Sequence, residues 1–263
     1  MPKQPTTRLL NRTSESNVEV LDSDIESFMS SLHRFLSNHF KDLVRELKGK
    51  PESAVISRLG GLLDGLKQAG LDDELAKIRD LYKKETKKVL NSFKDTEPSV
   101  SIKSVTDRDT VEAFISMREG DVRAQVESVA SQVSSNILEQ TLIGEAVVAG
   151  DVTKTISAGL DKNFKTELRT GLMKFHRTVS KVHASELGLK LGYYAGPILD
   201  NTREFCRSLL EDRDPPIYTL DEIEAMDNEQ GLDVITSGGG YNCVHHWRWI
   251  SQRTARDLGW EPE

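Results

Sequence analysis

The sequence predicts a mainly α protein, with a long-helix N-terminal region followed by a small α+β C-terminal module. Three observations carry this reading. Apolar residues recur three or four apart over long stretches between charged positions, and 29% of residues are charged against 6% aromatic. Between Pro51 and Pro197 the one intervening proline is Pro98, which leaves room for long uninterrupted helices. After Gly196-Pro197 the texture changes: both cysteines and all three tryptophans lie beyond that point. The implied organisation is a flexible N-terminal arm at 1–20, a helical domain at 21–196 and a C-terminal module at 197–263.

The elements follow in order. Residues 1–20 are polar, with Pro2 and Pro5. A capping box, Ser23 with Glu26, starts a helix whose stripe runs through Ile25, Phe28, Leu32, Leu36, Phe40, Leu43 and Leu47, ending at Gly49 and Pro51. A second helix covers 53–69 with Val55, Ile56, Leu59, Leu62, Leu63 and Leu66 inward, weakened by Gly60-Gly61. Gly70 breaks it, and a third helix carries Leu75, Ile78, Leu81, Tyr82, Val89, Leu90 and Phe93. "PSVSIKSV" at 98–105 reads as extended. A fourth helix begins near Asp107 with a narrow seam of Val122, Val126, Val129, Val133, Ile137 and Leu142. Residues 144–160, rich in small side chains, read as a soft connector, and a fifth helix spans about 165–194. His33, His39, His176 and His183 fall on or beside these apolar stripes, where packing or rim roles are the ordinary ones.

Charge narrows the function classes. Residues 198–263 hold 14 acidic and 6 basic side chains, a net of −8, whereas 1–197 are nearly neutral. Neither part is basic enough for tight nucleic-acid binding through counterion release. No apolar run approaches the ~18 residues of a membrane span. The N-terminal stretch lacks the apolar core of a signal peptide, so a cytosolic origin with reduced thiols is expected.

The tail carries the distinctive chemistry. Asp200, Thr202, Arg203, Phe205 and Cys206 form one cluster; Tyr218 and Thr219 follow; Gly239, Gly240, Asn242, Cys243, His245 and Trp247 close it. This pattern resembles the C-terminal module of the phage head morphogenesis family, the Mu F-like minor capsid proteins. That family has D-x-x-T-R-x-F-C, where Asp200 stands one residue closer to Thr202 than the pattern has it, then a Tyr-Thr turn, then G-G-x-N-C-R-H-x-W, and an upstream helix with an Arg-Thr-Glu element. Here Arg177 and Thr178 match, while Val179 stands for the acid and Val244 for the arginine. The resemblance implies a minor head protein located in the virion and, during assembly, in the host cytoplasm. It implies contacts with portal, major capsid or scaffold proteins, weak or indirect contact with packaged DNA, and no membrane or small-molecule substrate. It implies binding rather than catalysis and requires no cofactor.

Several readings of the tail residues stand side by side. Cys206, Cys243, His245 and His246 offer two thiolates and two imidazoles, a donor set that zinc accepts. His245 matches the family position and is the better of the two histidine ligands. A Cys–His pair could instead act as nucleophile and base, giving as alternative function a virion-carried cysteine- or zinc-dependent hydrolase. Ser237 to Gly240 resemble a phosphate loop in glycine count alone. In the structural reading, Phe205, Tyr241, Trp247 and Trp249 make a core, Arg203 bridges carbonyls or acids, Asn242 and His245 satisfy buried backbone groups, and the cysteines pack side by side.

Overall fold

The computed structural model describes residues 7–96 and 108–262. Eleven helices and three strands lie within them, in the order α1 (Thr7–Leu47), α2 (Glu52–Gly60), α3 (Leu62–Gln68), α4 (Leu71–Thr96), α5 (Arg108–Leu142), α6 (Ala149–Gly159), α7 (Lys162–Glu186), β1 (Leu191–Ala195), α8 (Glu204–Glu211), β2 (Ile217–Thr219), α9 (Leu220–Ala225), α10 (Val234–Ser237), β3 (His246–Ile250) and α11 (Gln252–Asp257). The fold is mainly α, with long helices first and a small C-terminal module of helices on a three-stranded antiparallel sheet. No described helix is long and apolar enough to cross a membrane.

The chain forms two compact units. One comprises 24–80 and 115–168. Its core is the stripe of α1 (Ile25, Phe28, Leu32, Leu36, Phe40) together with Leu66, Leu75 and Ile78 and the α5 seam Val122, Val126, Val129, Val133 and Ile137. Ion pairs rim it: Lys165 with Glu26 at 2.6 Å, Arg123 with Asp72 at 2.8 Å and Arg79 with Glu119 at 2.9 Å. His33 takes a rim position, bonded to Ser157 at 2.9 Å.

Several details depart from the sequence reading. Helix α1 begins at Thr7, so residues 7–20 continue it and Ser23 with Glu26 sits inside a helix rather than at its start. Gly61 splits the second helix into α2 and α3, and Ile56 and Leu63 end up exposed. The expected connector at 144–160 contains α6, whose Val152 and Ile156 are buried. The extended reading of 98–105 lies outside the described residues.

Among the described residues, the other unit comprises 7–23, 81–96, 108–114 and 169–262. Its sheet has the order β2-β1-β3, both pairings antiparallel. The fifth helix, expected to reach residue 194, stops at Glu186; Gly188 turns with φ +66° and the chain enters β1. The sheet's central strand therefore lies before Pro197, ahead of the expected module start. Alternation along β1 sorts the layers. Leu191, Tyr193 and Ala195 join Ile217, Ile250 and Ala255, with Leu258 and Trp260 against them. Gly192 and Tyr194 face the other way with their cross-strand partners Tyr218, Trp249 and Trp247. Tyr194 and Trp247 rings lie 4.5 Å apart, and Tyr218 meets Trp247 edge-on at 5.8 Å.

Strand β3 is an edge, and α7 covers it. Arg177 Nε donates to His245 O at 2.8 Å and Nη2 to Cys243 O at 2.6 Å, while Ser180 Oγ reaches Trp247 O at 3.5 Å. These are carbonyls of alternate residues, the set that an edge strand turns away from its sheet. Elsewhere Thr219 and Glu222 form a reciprocal capping box that starts α9 directly from β2.

The aromatic layer leaves no room at Gly192, where an added Cβ would lie 2.9 Å from Ile223 Cδ1 and 3.0 Å from Trp247 Cε3. Gly192→Ala is expected to destabilise the fold by about 1–3 kcal/mol through overpacking. Urea unfolding followed by tryptophan fluorescence checks this, and an unchanged midpoint would mean that the layer has slack.

Candidate functional site

The site is built where three segments meet: the start of α8, the turn at 237–243 and the approach to β3. Thr202 sets up the first. Its Oγ1 accepts from Leu199 N at 2.7 Å and its own N–H donates to Leu199 O at 2.9 Å, closing the turn that launches α8. Helix α8 then carries Cys206 inward, with the residue 1% exposed. Asp233 caps α10, accepting from Thr236 N at 2.9 Å. The glycines after α10 let the chain pass beside α8: a Cβ on Gly239 would collide with Cys206 Sγ. Asn228 and Gln230 fasten this turn through Gly238 O and Gly239 O at 2.9 and 3.1 Å. Asn242 follows with φ +58°, a conformation asparagine tolerates, and its N–H donates to Thr170 Oγ1 at 2.9 Å.

These constraints bring Cys206, Cys243 and His245 together, all buried, with their potential donor atoms within 4.8 Å of one another. The sulfurs are 3.7 Å apart, and Cys243 Sγ lies 3.6 Å from His245 Nδ1. Both cysteines are free thiols. The hydrogen bond from Cys206 pulls the Cys243 thiol well down against its own burial, and His245 and Arg177 add to the effect. The same pairing, with burial, pushes Cys206 up. Tyr194 stacks its ring on His245 at 5.6 Å and donates its hydroxyl to Cys206 Sγ at 3.3 Å. A pocket of about 150 Å³ opens over the cluster, with Arg169, Asn201, Arg203 and Asn242 among its walls.

The remaining tail residues are placed as follows. Trp247 and Trp249 are core, as the structural reading expects, and Trp247 Nε1 donates to Val234 O at 3.3 Å. Phe205 is half-buried, and Asp200 lies exposed in the turn before α8. Tyr241, expected in the core, is instead 62% exposed, because the chain surfaces at 241–242 after the buried Gly240. Arg203, expected to bridge carbonyls or acids, is an exposed residue at the N-terminus of α8. The carbonyl-bridging arginine is Arg177, which is 3% exposed. His246, the second candidate histidine ligand, turns away from the sulfurs, as alternation in a strand requires of a neighbour of His245. Its ring meets that of His176 at 4.9 Å. Sequence reasoning missed Tyr194, absorbed into an overlong helix, although "LGYYAG" has the aromatics and glycines of a strand.

Compared with known protein families, curated proteins and solved structures, the chain finds no match.

The two helix histidines seven residues apart are not a pair. His176 Nδ1 lies 3.1 Å from Glu85 Oε2, whereas His183 packs edge-on to Phe93 at 5.5 Å, with Glu186 Oε2 at 3.7 Å. Burial pushes His183 down from 6.5 to about 4, with the Glu186 carboxylate opposing weakly. Between those values the unfolded chain binds a proton at His183 and the folded chain does not, so stability falls as pH drops from about 6.5 towards 4, by about 3 kcal/mol in total from this group. Urea midpoints at pH 7, 6 and 5 should decline accordingly, with a shallower decline in His183→Gln; equal slopes in the two proteins would contradict the assignment.

Proposed function

We propose that this chain is a phage minor head protein that acts in head morphogenesis by binding portal, major capsid or scaffold proteins. One observation supports the reading most. Seven of the residues that carry the resemblance to the Mu F-like module, Thr202, Cys206, Gly239, Asn242, Cys243, His245 and Trp247, are spread over the tail yet build one local structure, while Asp200 and Arg203 lie exposed beside it. A scatter of chance matches would have no reason to converge. The pattern therefore reads as a module whose residues are needed together, each for a stated physical reason. Exposed apolar side chains, Ile56 and Leu63 on α2 and α3, Leu142 at the end of α5, and Ile143 and Val148 in the link to α6, offer contacts for a protein partner. The acidic tail disfavours clinging to packaged DNA.

A second reading is a cysteine- or zinc-dependent hydrolase carried in the particle, favoured by the Cys206, Cys243 and His245 cluster beneath a pocket. Quantitative mass spectrometry of proheads and mature heads from producing cells distinguishes location: the chain is expected in heads at low copy, and absence from both would overturn the proposal. A folded Cys206→Ser variant is expected to support normal head yield. Heads that assemble but fail at a hydrolytic step in this variant would favour the second reading.

A further inference from the structure

Two of the three donor–donor distances in the cluster have the dimensions of a coordination shell, and the third lies within 4.8 Å. Tetrahedral zinc with Zn–S of about 2.3 Å and Zn–N of about 2.0–2.1 Å has S···S edges of about 3.8 Å and S···N edges of about 3.6 Å. Cys206 Sγ and Cys243 Sγ are 3.7 Å apart, and Cys243 Sγ and His245 Nδ1 are 3.6 Å apart. We propose that Cys206, Cys243 and His245 bind one zinc-class divalent cation, and that its fourth coordination position opens into the overlying pocket, where it takes water or a small anion. This does not rest on the head-protein reading.

The surroundings fit a ligand set better than simple packing of thiols. His245 Nε2 lies 2.9 Å from Pro197 O, a group that can only accept, so Nε2 carries a proton and Nδ1, on the Cys243 side, is the nitrogen left to ligate. A ring nitrogen anchored by a backbone carbonyl while the other faces the metal is the usual outer-shell arrangement for a histidine ligand. Each sulfur also has a donor aimed at it: Gly239 N–H at 3.3 Å from Cys243 Sγ, and Tyr194 O–H at 3.3 Å from Cys206 Sγ. Such bonds stabilise thiolates, the form in which cysteine binds zinc. Two small hydrophobes would gain little from these donors.

The fourth position follows from the donor count. The cluster holds three ligating side chains among the described residues, and the neighbouring His246 points at His176 instead. Three protein ligands with an open position characterise sites that exchange water or substrate, whereas structural zinc sites close with four. The pocket above, about 150 Å³, has space for water or a small anion. Arg203 on its wall supplies positive charge, which favours an anion over a neutral ligand.

The test uses the full chain, stripped with chelator, kept reduced and titrated with cobalt(II). One equivalent is expected to give thiolate-to-cobalt charge transfer and the intense visible bands of tetrahedral cobalt, both abolished by zinc. Their absence in the wild-type protein would overturn the site, whether or not heads still assemble. Cys243→Ser and His245→Ala, checked for folding by circular dichroism, should each weaken cobalt binding at least tenfold. Unchanged binding in a folded variant would overturn that ligand. Thiocyanate added to the cobalt form should shift the visible bands, and Arg203→Gln should weaken this effect severalfold with cobalt affinity unaltered. Bands indifferent to thiocyanate would mean a closed fourth position and overturn that half of the proposal.

Discussion

The C-terminal module depends on one buried cation. The guanidinium of Arg177, 3% exposed, bonds the carbonyls of Cys243 and His245 and reaches Thr236 O at 3.4 Å. A fork of rigid N–H donors is the one side-chain group that can satisfy several backbone acceptors at once in a dry environment. From this clamp the position of β3 follows, because the bonded carbonyls belong to its outer edge and the run-up to it. The same contact fixes the backbone on both sides of Val244, and so determines where the Cys243 sulfur and the His245 ring can point. Charge-assisted hydrogen bonds of this kind contribute about 1.5–3 kcal/mol each.

Close packing does the rest. Gly239 lets the turn pass against Cys206, and Gly192 lets Trp247 and Ile223 close over the central strand. Tyr194 links the two regions. Its ring packs between the aromatic layer and His245, and its hydroxyl reaches a cysteine sulfur. The site is therefore continuous with the core of the module: a change in the sheet is felt at the sulfurs through Tyr194, and a change at the sulfurs is felt in β3 through Cys243 and His245. A metal bound there would tie α8 to β3 across a small sheet, where an added staple contributes most.

Much of the long-helix region was legible because α1 and α5 carry long apolar stripes, as does α4 apart from the buried Glu85, and periodicity reads such stripes well. It failed where two patterns overlap. Leu187 and Leu191 extend the α7 stripe, yet Gly188 ends the helix and Leu191 belongs to β1. Small residues made 144–160 look like a loop, although Val152 and Ile156 anchor a helix there. At the site, the tail motif pointed to Cys206, Cys243 and His245, but the spacing of 37 residues between the sulfurs carries no distance information by itself. The backbone at Cys243 and His245 is held by Arg177 on α7, an element that precedes all three strands. The motif matches include both Arg177 and Arg203, but the sequence reading gives the carbonyl-bridging role to Arg203, and nothing in a linear pattern says which of two arginines will be buried.

Arg177→Met keeps much of the apolar stem and removes the donors. Equilibrium urea unfolding followed by the fluorescence of Trp247, Trp249 and Trp260 measures the effect where it arises. Leaving the Cys243 and His245 carbonyls buried without donors predicts a loss of about 3 kcal/mol or more. A midpoint equivalent to wild type within about 0.5 kcal/mol, the range of an ordinary surface substitution, would contradict the claim that this cation organises the module.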